Sequence, residues 1–201
     1  LTLQENSVIP VGGVKVGDIV VTDDALGTEV LSLGGPDAAF FQIVGTELFY
    51  IGPSPDFESK ASYQVNVLVD DSTVGSTPDL SLAVTVSVGD LNEGPSAITL
   101  AGPRLVAENA AAAVVGAISV TDPDAGSTFT YTVSDARFEV VGGNLRLRAG
   151  QSLNRETEAS ITLDVTATDQ GMLSTTSTFT ISVTDVDEFD VTAPVDGNVA
   201  A

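Results

Sequence analysis

The fold is indicated by the stretch FQIVGTELFYIGPSPDFESKASYQVNVLVDD (residues 41–71), which recurs as FEVVGGNLRLRAGQSLNRETEASITLDVTATD (residues 138–169). Phe41 aligns with Phe138 and Asp71 with Asp169, and the spacing between aligned residues is nearly constant. Further matches lie upstream, in VVTDDALG and SVTDPDAG, and downstream, in VGDLNE and VTDVDE. Because self-similarity at a fixed period is typical of repeats, the sequence predicts two tandem repeats of similar size.

Within each repeat, apolar residues recur at every second position, as in residues 63–69 and 161–167. This alternation predicts strands with one face in a core and the other in water. The VGGN stretch at residues 141–144 is typical of a tight hairpin turn with positive φ on glycine. The one helix-like stretch, residues 108–114, is too short to be stable alone. We therefore predict an all-β fold of two tandem Greek-key β-sandwiches, with about seven strands each, joined end to end.

The joint between the repeats is expected at DLNEGPS, residues 90–96, where a Gly-Pro pair ends the last strand of the first repeat. We accordingly expect a first repeat at residues 1–93 and a second repeat at residues 94–189. Residues 190–201 are expected to be a tail or the start of a following repeat.

The composition restricts the possible functions. The 201 residues include 28 acidic and 7 basic side chains, which gives a formal net charge of −21. A chain this acidic lacks the basic face that nucleic acids and anionic membranes require, so cations are its natural partners. The sequence has no His and no Cys, which excludes disulfides, imidazole or thiolate metal sites, and Ser-His-Asp or Cys-His catalysis. The longest apolar stretch, residues 110–118, is too short to span a membrane as a helix, so we expect no membrane insertion in this segment.

The acidic residues gather in loops between strands, often two residues apart, with few cations beside them. In extended chain, residues i and i+2 point the same way, so each pair can present two oxygens to one ion. Clustered carboxylates repel one another, whereas calcium prefers about six to eight oxygen ligands and suits such a set better than magnesium does. The pattern therefore predicts calcium binding. The residues concerned are Glu5, Asp56, Glu58, Asp90, Asn92 and Glu93 in the first repeat, and Glu108, Asp122, Asp124, Glu156, Asp169, Asp185, Asp187 and Glu188 in the second.

In order and spacing, these motifs resemble the cadherin repeat: a Glu near the start, then TDPDAG, LNRE, ATDQG and a closing DLNE or DVDE. The resemblance runs from about Glu5 to Glu188. It implies calcium ions at the joint between successive repeats. The upper repeat would give a Glu, an Asp-x-Glu pair and the linker, and the lower repeat an Asp-x-Asp pair and the Asp of ATD.

Carried onto this sequence, the resemblance implies a joint site made from both repeats. The backbone carbonyls of Leu91 and Gly94 would complete the linker. Glu93 stands where the family usually has Asp, and Gly94 stands where it has a second Asn. The side chains implied for the joint are Glu5, Asp56, Glu58, Asp90, Asn92, Glu93, Asp122, Asp124 and Asp169.

The resemblance also implies a half-site at each outer end, which indicates that the chain is a piece of a longer array. The C-terminal half-site should be weakened by Asn154, which replaces the family's usual Asp. The N-terminal half-site has Ala25 where a second Asp is usual. The acids of the C-terminal half-site are Glu108, Glu156, Asp185, Asp187 and Glu188, and those of the N-terminal half-site are Asp23 and Asp71.

The leading hypothesis is an extracellular or cell-surface adhesion or spacer module, in which calcium at the joint rigidifies a tandem array. The alternative is a calcium-dependent polysaccharide-binding module. The expected partners are calcium, neighbouring repeats of the same chain, and another surface protein or an extracellular polysaccharide. A composition rich in Ala, Val, Thr and Gly, with two Lys and no Cys, favours a bacterial surface or secreted protein over an animal one.

A glycosidase that uses a pair of carboxylates is a third hypothesis. Such an enzyme needs its two acids in one cleft. Here the acids recur at both ends of a repeat, as the ligands of a periodic array would, so we expect no enzymatic activity.

Overall fold

The computed structural model describes residues 1–22, 28–71, 73, 75 and 77–187. Strands dominate these ranges, which contain a single 3-10 turn at Ala38–Phe40 and no α-helix. The chain divides into two compact units, the first ending at Asn92 and the second beginning at Glu93.

The first unit is a sandwich of two sheets. A four-stranded sheet has the order β1-β7-β6-β3, and a three-stranded sheet has the order β2-β5-β4. The strands are β1 (Thr2–Gln4), β2 (Val14–Asp18), β3 (Glu29–Gly34), β4 (Phe41–Val44), β5 (Glu47–Tyr50), β6 (Ser62–Asp71) and β7 (Leu80–Gly89).

The second unit is also a sandwich, built from two four-stranded sheets with the orders β12-β13-β10-β8 and β11-β14-β15-β9. Among the described residues it has eight strands, one more than the first unit, because β8 is an additional edge strand of the sheet that contains β10. The strands are β8 (Ala97–Ala101), β9 (Leu105–Ala107), β10 (Val114–Thr121), β11 (Thr130–Val133), β12 (Phe138–Val141), β13 (Asn144–Leu147), β14 (Ser160–Thr168) and β15 (Ser174–Thr184).

The two units share one topology. In each unit, one short strand, β1 or β9, runs parallel to the last strand of the unit, β7 or β15, while the other pairs are antiparallel. Neighbours in a sheet are not always neighbours in sequence, as in a Greek-key arrangement. The predicted all-β class with paired sheets in each repeat is confirmed.

The period-two pattern places the core as predicted. In β6, Tyr63, Val65 and Val67 are buried, whereas Gln64 between them is exposed. Burying one such apolar side chain stabilises the fold by about 1.5–3 kcal/mol. Each unit has its own core. The alternation of apolar and polar residues along a strand determines which of its faces packs against the opposite sheet.

The hairpin at residues 141–144 also forms as predicted, since Val141 pairs with Asn144 across Gly142 and Gly143. Both glycines have positive φ, at 56° and 74°, which a two-residue turn of this kind requires. The helix-like stretch at residues 108–114 does not form a helix: residues 108–112 contain turns, and Val114 begins β10. Asn109 and Ala112 adopt positive φ there, which ends any helical path.

Candidate metal-binding site

Glu5 follows β1 and is buried, with 2% of its surface exposed. Its Oε2 accepts a hydrogen bond of 2.8 Å from the backbone N–H of Phe57, and its Oε1 accepts one from the N–H of Leu91. A buried carboxylate is costly unless donors satisfy it, and charged acceptors make the stronger hydrogen bonds. Glu5 therefore draws together the loop before β6 and the segment after β7.

The loop before β6 carries Asp56 and Glu58. Asp56 accepts hydrogen bonds of 2.9 Å from both the backbone N–H and the hydroxyl of Ser59. The pKa of Asp56 lies below its usual value, chiefly because of the Ser59 N–H. The same loop is tied to β1 by a 2.9 Å hydrogen bond from the N–H of Asn6 to the carbonyl of Pro55. Glu58 is exposed beside this fixed turn.

The segment after β7 begins with Asp90, which is exposed. The N–H of the next residue, Leu91, donates a hydrogen bond to Oε1 of Glu5, and this contact fixes the backbone that carries Asp90. Within the first unit, the backbone therefore brings three predicted elements together: Glu5, the loop of Asp56 and Glu58, and the start of DLNE.

In the second unit, Asp122 and Asp124 lie in the turn after β10. The N–H of Asp124 donates to Asp122 Oδ1 at 3.0 Å, and the N–H of Glu93 donates to Asp124 Oδ2 at 2.8 Å. Asp122 Oδ2 is buried and has no hydrogen-bond donor among the described residues. A buried carboxylate oxygen without a hydrogen-bond donor is a group that a bound cation would satisfy.

Asp169 follows β14 and is 4% exposed. Its Oδ1 accepts a hydrogen bond of 2.9 Å from the N–H of Leu173, and its own N–H donates to the carbonyl of Leu173 at 2.9 Å. The side chain and backbone together close the loop of residues 169–173. This loop therefore fixes the carboxylate in place.

In the second unit, Glu108 is a buried carboxylate held by two backbone N–H groups, as Glu5 is in the first unit. It is 2% exposed. Its Oε2 accepts from the N–H of Arg155 at 2.9 Å, and its Oε1 accepts from the N–H of Val186 at 2.7 Å. These two donors, with Val186 first, lower the pKa of Glu108 below its usual value.

Three predicted acids of the C-terminal half-site lie together. Carboxylate oxygens of Glu108, Glu156 and Asp185 all lie within 4.8 Å of one another. The guanidinium of Arg155 is 3.8 Å from Asp185 Oδ2. Asn154 keeps the turn-closing role of Asp56, because its Oδ1 accepts from the N–H and the hydroxyl of Thr157 at 2.8 and 2.9 Å.

Asp187 is exposed after β15. Asp71, predicted for the N-terminal half-site, is 8% exposed at the end of β6 and accepts a 2.9 Å hydrogen bond from the N–H of Thr73. Asp23, Ala25 and Glu188 lie outside the described residues.

The donors that hold Glu5 and Glu108 could not be found from the sequence. They are the backbone N–H groups of Phe57, Leu91, Arg155 and Val186, and any residue except proline can supply such a group.

The ligand chemistry of these residues fits calcium. All the predicted side chains offer oxygen, which is the atom that calcium prefers, and the closing turns fix several of them before any ion arrives. The two units are thus tandem β-sandwich repeats whose loops carry clustered, positioned carboxylates.

No family model matches the chain. Among curated proteins it is similar to cadherin-related family member 2 of Homo sapiens, with 33% identity over 185 residues, 81% of this chain and 14% of that protein. The solved structure of PcdhgB3 EC1-4 superposes with a TM-score of 0.77 at 24% identity, covering 92% of this chain and 47% of the other. Protocadherin gamma B7 extracellular cadherin domains 1–4 give a TM-score of 0.75 at 23% identity, over 91% of this chain and 47% of the other.

The chain is therefore built of cadherin-like repeats of the extracellular type, as the motifs predicted. It spans only 14% of the length of the first curated relative, so the activity of the whole protein stays a proposal. The expectation of a bacterial protein is not supported, because the curated relatives come from human, mouse and zebrafish. Among the described residues, no helix has the length and hydropathy needed to span a membrane.

Proposed function

We propose that the chain is a calcium-dependent extracellular adhesion or spacer module, in which acids at the joint of the two repeats bind calcium and rigidify a tandem array. The observation that carries this proposal is the repeated placement of Glu5 and Glu108. Each is a buried carboxylate held by two backbone N–H groups from two different loops. The orphaned Oδ2 of Asp122 supports the same interpretation.

The proposed joint ligands divide between the repeats. The first repeat offers the three elements that Glu5 draws together, and the second offers the Asp122–Asp124 turn and the closed loop of Asp169. The linker carbonyls proposed as ligands are those of Leu91 and Gly94. When bound, calcium would supply the positive charge that offsets the repulsion among these carboxylates. The full set of proposed side chains is Glu5, Asp56, Glu58, Asp90, Asn92, Glu93, Asp122, Asp124 and Asp169.

The residues themselves contribute pre-organisation. The hydrogen bonds at Glu5, Asp56, Asp124 and Asp169 fix the carboxylates in the folded chain, so little side-chain entropy remains to be lost on binding. Extracellular modules bind calcium at about 10⁻⁴–10⁻³ M, a range that permits occupancy outside cells and not in the cytosol.

A calcium titration by isothermal calorimetry tests the proposal. We expect a saturable class of sites that Asp122→Asn with Asp124→Asn abolishes. Glu47→Gln is the control. It also removes a negative charge, but from an exposed carboxylate that pairs with Lys15 and lies outside the predicted ligand set. If the unsubstituted chain gave no heat of binding, or if the control lost the same class of sites as the double variant, calcium binding by these residues would be contradicted.

Partners beyond calcium and neighbouring repeats are tested separately. A glycan array probed with and without chelator distinguishes the polysaccharide-binding alternative from a pure spacer. Calcium-dependent glycan capture would favour the alternative.

A further inference from the structure

Two tyrosines lie against each other in the core of the first unit. Tyr50 ends β5 and is 0% exposed, and Tyr63 in β6 is 5% exposed. Their ring centroids are 5.0 Å apart, and their hydroxyl oxygens are 2.8 Å apart. The hydroxyl of Tyr50 also donates a hydrogen bond of 3.0 Å to the carbonyl of Pro53. A buried polar pair in the core therefore reaches the loop that follows β5.

The second unit has apolar residues at both of these positions. Leu147 corresponds to Tyr50, because each is the last residue of its strand. Ile161 corresponds to Tyr63, because each is the second residue of its strand. Both Leu147 and Ile161 are buried and carry no polar side-chain atom. The sandwich therefore packs without hydroxyls at these positions, and their presence in the first unit indicates a local role.

The loop that Tyr50 contacts, residues 52–60, carries two of the proposed metal ligands and is called the ligand loop below. A Cβ on Gly52 would lie 2.4 Å from the hydroxyl oxygen of Tyr50, so the backbone passes directly against this side chain. Pro53 and Pro55 have no N–H group, which leaves the start of the loop with fewer donors of its own. The hydroxyl of Tyr50 supplies a donor from the core. Burial is the main cause that raises the pKa of Tyr50 above its usual 10, so this hydroxyl keeps its proton at neutral pH.

Other contacts hold the middle and the end of the ligand loop. In the middle, the N–H of Phe57 donates to the buried carboxylate of Glu5 at 2.8 Å. At the end, the Nζ of Lys60 lies 2.7 Å from the carboxylate of Asp37. The start of the loop is joined to the core by Tyr50. Without this bond, residues 52–55 could move and carry the neighbouring carboxylates with them.

We propose that Tyr50 is a positioning residue for the metal site: its buried hydroxyl fixes the start of the ligand loop to the core and so places the carboxylates of Asp56 and Glu58. This role presupposes the calcium binding proposed above. Groups that orient metal ligands from behind strengthen metal binding, although they do not touch the ion. Tyr63 is the hydrogen-bond partner of Tyr50, whereas the carbonyl of Pro53 is bonded by Tyr50 itself.

Calorimetric calcium titration of Tyr50→Phe tests this role. The variant keeps the ring and removes one oxygen, so the ligand loop loses its bond to the core. We expect the strong class of sites to bind calcium about tenfold more weakly, at the lower end of the effect typical of such orienting groups. The weak class at the C-terminal half-site should be unchanged, because Leu147 makes no such bond there. An unchanged affinity in the strong class would overturn the proposal.

Tyr63→Phe is the matched control. It removes the other hydroxyl of the same buried pair, so it should lower the melting temperature in chelator about as much as Tyr50→Phe does. It leaves the bond from Tyr50 to Pro53 in place, so the calcium affinity should be retained. Equal losses of affinity in the two variants would reveal a general effect of core stability and would rule out a positioning role.

Hydrogen exchange in chelator distinguishes failure of this proposal from failure of calcium binding. The N–H groups of Phe57, Ser59 and Lys60 are hydrogen-bonded in the folded chain, so their exchange reports on the ligand loop without any ion. They should exchange faster in Tyr50→Phe than in Tyr63→Phe. If the unsubstituted chain bound no calcium, the proposed function would fail, and exchange would still decide whether Tyr50 fixes the loop. Equal exchange in the two variants would show that it does not.

Discussion

Glu5 and Glu108 occupy equivalent positions in the two units, and each has both carboxylate oxygens bonded to backbone N–H groups of two separate loops. Each is only 2% exposed. In both units the first loop is the one closed by Asp56 or Asn154, and the second is the segment that follows the last strand. One buried acid thus organises the end of each sandwich.

Calcium should stabilise the fold. A ligand that binds only the folded state at a hundredfold excess over its Kd adds about 2.7 kcal/mol to the free energy of unfolding. Calorimetric melting should therefore move upward with millimolar calcium and downward with chelator. A melting temperature that ignores both additions would refute the calcium assignment.

The buried glutamate should matter even without metal. Glu5→Gln keeps the shape but turns an N–H donor towards at least one backbone N–H, so a buried donor is left unsatisfied. We expect a loss of about 1–3 kcal/mol in the free energy of unfolding, measured in chelator by urea titration. Glu58→Gln, an exposed acid of the same cluster, is the matched control and should have little effect under these conditions. Equal losses in the two variants would count against the organising role of Glu5.

The C-terminal half-site should be weaker than the joint and should be improvable. Asn154→Asp adds a carboxylate beside the cluster of Glu108, Glu156 and Asp185, while its Oδ atoms can still close the turn with Thr157. Calorimetric titration should show tighter binding in a weak class of sites and no change in the strong class. Asn144→Asp, in the hairpin, adds the same charge elsewhere and should leave both classes unchanged.

Acid should destabilise the second unit through Asp135. The guanidinium of Arg137 donates to both carboxylate oxygens of Asp135, and these hydrogen bonds are the main reason that the pKa of this carboxyl lies below its usual 3.8. Because the folded-state pKa is the lower one, the stabilisation is fully present above about pH 3.8 and is lost as the pH falls through the folded-state value. Melting temperatures of the chain and of Asp135→Asn should therefore converge below pH 3.8. A constant difference down to pH 2 would contradict this.

Rigidity at the joint is the mechanical expectation. Small-angle scattering should show a narrower distribution of shapes in calcium than in chelator, because without the ion the default for two domains is relative motion. Asp122→Asn with Asp124→Asn should reproduce the chelator profile in calcium while circular dichroism stays unchanged. Identical profiles in all conditions would leave calcium without a mechanical role.

Much of the site could be predicted because ligand type and spacing are local properties. The turn of Asp122 and Asp124 and the cluster of Glu108, Glu156 and Asp185 involve residues that the motifs had singled out. The role of Asn154 as a turn-closing residue was not predicted, since its partner Thr157 is an ordinary polar residue in sequence.

The sequence by itself determined that the chain has two repeats, that they are built of strands, and which acidic residues are candidate ligands. Period-two alternation and collinear motifs depend on residues near one another in the chain. Only the tertiary structure decided which backbone groups hold the buried glutamates, since Glu5 meets Leu91 only after β1 and β7 have paired. It also decided that position 116 has to be glycine, because a Cβ there would lie 2.0 Å from the carbonyl oxygen of Ala101, a residue that is distant in sequence and reaches Gly116 only when β8 pairs with β10.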